Sequence, residues 1–264
     1  MSTFQDFRLE AEAHEAFQTN RFVHLEGVLD PAWLAPHARE ITRLVLELNT
    51  NRQPLHLRDT YSRAFLQVMN LWRESEIVRE FVFNRRLARI AAGLLGVPSV
   101  RLYHDQALYK EPGGGHTPWH ADQFYWPLAT DRTVTAWIPL QDTPLEMGPL
   151  EFASGSHVLE GGRALGISDE SEAAIGTMLR EHGYPVRVEP FALGDVSFHS
   201  GWLYHRAGPN RTGSPRGVMT IIYMDAAMVL KDPENDNQRL DWQTWCPGAR
   251  VGEVIDTPLN PVLC

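Results

Sequence analysis

In the stretch Pro-Trp-His-Ala-Asp-Gln-Phe-Tyr-Trp, residues 118–126, a histidine and an aspartate stand one residue apart, at His120 and Asp122. The segment 119–126 reads as a strand, on which residues two apart project to the same face. Such a pair is either two ligands on one wall of a metal site or an ordinary polar pair on a half-buried sheet, and the pair alone leaves both open. A metal wall needs a third ligand opposite. His205 is the candidate: it ends an apolar strand that begins after a Gly194-Asp195 turn, and it is followed by a Gly208-Pro209-Asn210 turn and a new strand carrying Arg216. Two imidazoles and one carboxylate on one face of an ion leave its other positions open to reactants, an arrangement suited to non-haem Fe(II) oxygenases. The planar fork of Arg216 suits the distal carboxylate of a dicarboxylate co-substrate. His199 competes for the third place but lacks the turn that follows His205.

These residues need a scaffold. Asp30-Pro31 is a helix start, and Leu34, His37, Ile41, Leu44, Val45 and Leu48 recur behind it at helical spacing. A second helix is predicted over 77–95, with Ile77, Phe81, Leu87, Ile90, Leu94 and Leu95 on its buried face and an exit at Gly96 and Pro98. Beyond Pro98 short apolar or alternating runs at 100–109, 119–126, 134–140, 150–153, 186–191, 196–199 and 218–224 predict a β-sandwich or barrel. The Glu- and Ala-rich segment 168–183 reads as an inserted helix or cover. The fold class is therefore mainly β with a helical N-terminal annex (α+β). We read a single domain: annex 1–98, β core 99–225 with its insert, and an irregular C-terminal wrap over 226–264.

Composition narrows the partners. A chain of 264 residues can bury roughly three quarters of its unfolded surface. A formal charge of −9 offers no basic field for nucleic acid or anionic lipid. Two cysteines, Cys246 and Cys264, match a reducing, cytoplasmic setting rather than a disulfide framework. The start of the chain lacks the basic-then-apolar pattern of a leader, and no apolar run is long enough to span a membrane. A small-molecule substrate is expected, with no nucleic acid and no membrane. The sequence says nothing of oligomeric state.

The combination of Trp-His-Ala-Asp at 119–122, His-Arg-Ala-Gly-Pro-Asn at 205–210 and Arg216 resembles the phytanoyl-CoA dioxygenase family of Fe(II)/2-oxoglutarate oxygenases. His-Asp-Gln-Ala-Leu-Tyr-Lys-Glu-Pro-Gly-Gly at 104–114, Thr-Ala-Trp-Ile-Pro-Leu at 135–140 and Met-Gly-Pro-Leu-Glu-Phe-Ala-Ser-Gly-Ser-His at 147–157 stand in the family's order. The resemblance implies a double-stranded β-helix (cupin-like jelly roll). It makes His120, Asp122 and His205 iron ligands and sets Arg216 on the C5 carboxylate of 2-oxoglutarate, with O2 as the other co-substrate. By the same resemblance Tyr109 and Trp137 are co-substrate contacts and Trp126 lines the substrate pocket; Thr220, on the strand face of Arg216, is a further co-substrate contact, and His116, in the glycine-rich loop before His120, and Arg58 are expected substrate contacts. Asp122 itself speaks against the halogenating branch, in which a small residue replaces the carboxylate. A serine found in some relatives two residues past the distal histidine is Ala207 here, and Val218 stands where an Arg-x-Ser pairing would place another. Tyr109 or Thr220 is expected to replace that contact. Arg58, Arg63 and Arg73 suggest an anionic substrate, set against ordinary surface arginines, and Lys110 is expected in solvent. Lids are expected from 52–63, 113–116 and 168–183. Two other readings remain: a cupin-like metal enzyme with no need of 2-oxoglutarate or Arg216, and a non-catalytic binding module.

Overall fold

The computed structural model describes residues 9–264. The stretch 1–8, where no leader is expected, lies outside the described residues. In chain order the elements are α1 Ala11–Asn20, β1 Phe22–Leu25, α2 Pro31–Leu48, α3 Thr60–Ala64, β2 Leu66–Met69, α4 Glu76–Val82, α5 Arg85–Leu95 and β3 Val100–Lys110. Then come β4 Thr117–His120, β5 Thr133–Pro139, β6 Leu150–Ala153, α6 Asp169–Glu181, β7 Val186–Val188, β8 Val196–Ser200, β9 His205–Ala207, β10 Arg216–Asp225 and α7 Asp236–Trp245.

The strands form two antiparallel sheets, one of six strands in the order β1-β8-β5-β10-β3-β2 and one of four in the order β4-β9-β6-β7. Strands β3 to β10 pass between the sheets as a jelly roll does. Two strands come from the segment read as a helical annex: β1 and β2 cap the two edges of the large sheet. Both are four residues long, too short for period-2 alternation to stand out against the helical pattern around them. The predicted helix over 77–95 is two helices. Asn84 breaks it, its side chain accepting from the backbone N–H of Arg86 and Leu87 to start α5, while Gly96 at φ 65 ends it.

The large sheet has two unlike faces. Val134, Ala136, Ile138, Met219, Ile221 and Tyr223 point outward into a core shared with α2, α4 and α5. Their alternate neighbours, Thr135, Trp137, Arg216 and Thr220, point inward and line a cavity between the sheets. One bulge disturbs this alternation: the β10–β3 register pairs Ile222 with His104 but Tyr223 with Leu102, so Tyr103 is the extra residue. Tyr103 thereby joins the inner cluster with Trp126 and Ile222, next to an inward His104. The small sheet turns its back to α6, where Trp119, Ala121, Ile175, Leu179 and Tyr204 pack together. The C-terminal wrap contains α7, which closes over the inner cluster.

Ile41 is fully buried between α2 and the sheet, whereas Ile77, expected on the buried face of its helix, is 45% exposed. Ile41→Ala should lower unfolding free energy by about 3 kcal/mol and Ile77→Ala by less than about 0.5 kcal/mol in urea titration.

Candidate metal centre

The strand β4 stops at His120, and Asp122 opens a short 3₁₀ turn, Asp122–Tyr125. The pair is thus not on one strand face as its spacing suggested. The turn bends the carboxylate back toward the imidazole instead. His205 begins β9 and sits in direct register with His120 across the small sheet. The Nε2 atoms of His120 and His205 lie 3.5 and 3.7 Å from Asp122 Oδ1. The three potential donor atoms fall within 4.8 Å of one another. Both rings are oriented the same way: His120 Nδ1 is 2.8 Å from Pro118 O and His205 Nδ1 is 3.0 Å from Leu203 O. Donation from Nδ1 to a carbonyl leaves each Nε2 as a bare lone pair aimed at the common centre. The other oxygen, Asp122 Oδ2, accepts from Thr135 Oγ1 at 3.1 Å and faces His199 Nε2 at 3.3 Å. His199 therefore stands behind the carboxylate, outside the group of three.

Electrostatics favour a cation here. Burial acts to raise Asp122, but its place among the imidazoles of His205, His120 and His199 overcomes that and holds the carboxyl well below its usual range. Burial, with His120 and His199 adding, drives His205 well below its ordinary value and so toward the neutral, ligating form. Two buried imidazoles, with His205 held toward its neutral form, beside a retained carboxylate fit a divalent ion of the borderline class.

Arg216 lies deeper in the same cavity. It is 2% exposed, donates to Gly148 O, and has its Cζ 5.4 Å from the ring centre of Trp137. Among the described residues its Nε has no partner. Burial pulls the guanidinium down to about 9, which leaves it charged at neutral pH. A buried charge with an unfilled donor calls for an anion, and a carboxylate meets both needs. Gly148 makes this seat possible. At φ 70 it brings its loop against the turn after His205, and a Cβ there would lie 2.2 Å from Gly208 O. Lys110, the register partner of Arg216, is buried rather than in solvent: its Nζ donates to Gly115 O at 2.5 Å. Burial first, and Arg216 second, pull its ammonium well below the ordinary value.

The cavity holds about 430 Å³. His120, Asp122, His205, Arg216, Trp137, Thr220 and Trp126 all line it, as expected from the sequence. Three expected contacts do not. Tyr109 points to the opposite face of β3, where its hydroxyl is 2.7 Å from Thr42 Oγ1, and Gly217 leaves the room its ring needs. Arg58 donates to Glu111 and to Gln53 O, away from the cavity. His116 sits in a glycine loop tied by Gly115 N to Arg63 O and does not reach the wall. The Thr220 hydroxyl is engaged with Gln106 O at 3.2 Å.

Residues not assigned from the sequence line the outer part. Tyr61 donates to Gln67 Oε1 at 2.9 Å and Gln67 Nε2 to Gln106 Oε1 at 2.6 Å, which fixes Gln106 with its amide nitrogen as the remaining donor. Its position two residues from Leu108 and four from Lys110, all on the inward face, was the signal available in the sequence. Tyr125 accepts from Ile167 N at 2.8 Å, and Thr60 Oγ1 donates to Asp169 Oδ1 at 2.8 Å, so the segments expected to act as lids meet across the rim.

A profile described as phytanoyl-CoA dioxygenase (PhyH) matches residues 17–218. The chain belongs to the phytanoyl-CoA dioxygenase family. Membership, with the geometry above, makes this family member an oxygenase that uses iron and 2-oxoglutarate. It is 28% identical over 148 residues to methylphosphonate hydroxylase of Gimesia maris, a match covering 55% of this chain and 53% of that protein. It is 25% identical over 218 residues to 1-deoxypentalenic acid 11-beta-hydroxylase of Streptomyces exfoliatus, covering 76% and 75%. The structure of the epimerase SnoN with Fe3+, alpha ketoglutarate and nogalamycin RO superposes with a TM-score of 0.80 at 27% identity, covering 96% of this chain and 98% of that one.

Tyr109→Phe in this family member should lower stability by about 1 kcal/mol through the lost Thr42 bond and leave 2-oxoglutarate affinity unchanged. Gly148→Ala should cost about 2 kcal/mol or more from strain and crowding and weaken 2-oxoglutarate as well. Urea unfolding and co-substrate titration separate the two.

Proposed function

We propose that the chain hydroxylates an unactivated C–H bond of a small metabolite or natural-product intermediate, with iron held by His120 Nε2, Asp122 Oδ1 and His205 Nε2, and 2-oxoglutarate anchored by Arg216. The observation that carries this reading is the convergence of three donor atoms within 4.8 Å in the same cavity as a buried arginine whose Nε is unpartnered. Arg216 separates it from a cupin-like reaction without the co-substrate, because an empty buried guanidinium would only destabilise such a protein. Iron, when bound with 2-oxoglutarate and O2, supplies the oxidising power that takes a hydrogen atom from the substrate, with succinate and CO2 released.

The protein's own part is positional. Pro118 O and Leu203 O hold the two rings, Thr135 and His199 hold the carboxylate oxygen turned away from the centre, and Arg216 with Trp137 fixes the far end of the co-substrate. Aromatic and aliphatic walls from Phe65, Tyr125, Trp126 and Ile167 exclude water above the metal site. The relatives named hydroxylases support the hydroxylating outcome. Epimerisation is the second reading, supported by the likeness to SnoN, since both outcomes begin with hydrogen abstraction and part at the fate of the substrate radical.

Anaerobic titration of Fe(II)-loaded protein with 2-oxoglutarate should give a weak visible charge-transfer band that saturates. His120→Ala should abolish it, and Arg216→Ala should raise the half-saturating concentration about 10-fold or more, equivalent to about 1.4 kcal/mol. His199→Ala should weaken metal binding about 10- to 100-fold without abolishing the band. A folded, iron-loaded protein with no band would remove the 2-oxoglutarate reading.

A further inference from the structure

The outer part of the cavity contains one acid that the oxidation does not use. Asp241, on α7, lines the wall with Leu240, Thr244 and Trp245. Its Oδ2 accepts from Tyr103 Oη at 3.0 Å. Burial raises the carboxyl to about 7, although hydrogen bonds from Tyr103 and Trp245 work to lower it. Among the described residues no lysine or arginine pairs with it, and the one such side chain on the cavity wall is Arg216, committed to the co-substrate. The neighbouring His104 is no counter-charge, because burial takes it down to about 4.

The same acid shares its surroundings with the metal centre. Burial raises the hydroxyls of Tyr61 and Tyr125, and the carboxylates Asp122 and Asp241 both add to the effect on each. These rings therefore lie within reach of both. With iron and 2-oxoglutarate in place, the charges of the ion and Arg216 are matched by Asp122 and the two co-substrate carboxylates. Lys110 lies off the cavity wall at the Arg216 end, against Gly115 and Thr117. Asp241 is left uncompensated in an aromatic enclosure of Tyr61, Phe65, Tyr125, Trp126 and Trp245. A half-buried carboxylate with no counter-charge in an aromatic enclosure is unfavourable, and aromatic faces attract cations.

From this arrangement we propose that the substrate is a cation: an apolar or aromatic body bearing a protonated amine that pairs with Asp241 while the body lies against the aromatic wall. The inference rests on the oxygenase reading above for what the cavity does, and refines which molecules enter it. It replaces the anionic substrate suggested by Arg58, Arg63 and Arg73, none of which lines the cavity. Phosphonates and acyl-CoA esters, both anions, are excluded from the outer site by the same charge.

The test uses a naphthylalkyl amine, with the alcohol and the carboxylate of the same chain length, titrated anaerobically into protein with and without Fe(II) and 2-oxoglutarate. Quenching of tryptophan fluorescence reads binding, near pH 8 so that Asp241 is ionised and the amine protonated. The amine should bind about 10-fold or more tighter than the alcohol, with the carboxylate weakest. Asp241→Asn, which keeps an acceptor for Tyr103, should erase the preference of amine over alcohol and leave both the alcohol's affinity and the visible 2-oxoglutarate band unchanged. A carboxylate that binds as well as the amine, or a preference that survives Asp241→Asn, overturns the proposal, and the wild-type ranking decides alone if the variant does not fold. Loss of the visible band in wild-type protein with the amine preference intact would instead fail the oxygenase reading.

Discussion

Everything in this molecule that bears on chemistry depends on the tautomer of two buried rings. His120 and His205 each donate from Nδ1 to the carbonyl two residues earlier, the same local device used twice at facing ends of β4 and β9. The device costs no side chain, since each acceptor is a backbone carbonyl, Pro118 within β4 and Leu203 just before β9. In the neutral rings it turns both Nε2 lone pairs to one point. The jelly roll supplies what the device requires, two strands in register with their ends at one rim, and the helices α2, α4 and α5 stiffen the large sheet that faces them.

Charge placement follows from that centre outward. Buried Arg216 and Lys110 and half-buried Asp122 and Asp241 lie in or beside one cavity, and no two of them form an ion pair with each other. In a protein that only needed stability such an arrangement would be a liability. Arg216 keeps an unfilled donor, Lys110 donates to Gly115 O, Asp122 accepts from Thr135 among three imidazoles and Asp241 accepts from Tyr103, so Arg216 and Asp241 in particular are left for ligands to neutralise.

The chemistry-bearing residues were legible from sequence because they sit in short motifs with tight local geometry: a His-x-Asp at the end of a strand, a histidine before a Gly-Pro-Asn turn, an arginine opening the next strand. The large strands and the helix start at Asp30 follow from periodicity and capping residues, whereas the start at Asn84 lies inside a continuous helical pattern that masks it. What sequence pattern missed has physical causes. The edge strands β1 and β2 take their structure from pairing with β8 and β3, which local propensity does not contain. Tyr109 was set on the wrong side of its strand because a motif position does not state which face is inward. The burial of Lys110 was the fact needed to orient that strand, and a lysine is a poor marker of burial. Asp241 lies in a C-terminal segment with little hydrophobic periodicity, far from every motif, and comes to the cavity through tertiary packing of α7 on the inner cluster.

Apart from Gln106 on β3, much of the rim of the cavity is assembled from pieces that lie outside the eight strands of the roll: Tyr61 and Phe65 before it, Ile167 in the segment leading into α6, and Leu240, Asp241, Thr244 and Trp245 after it. The metal-facing and arginine-facing residues, by contrast, all lie between β4 and β10. On the proposed reading, oxidising power and choice of molecule are therefore carried on different stretches of chain. Substitutions or length changes in the outer pieces can retune what is admitted while the inner strands stay as they are, a division that lets one scaffold be reassigned to new substrates without rebuilding its reaction.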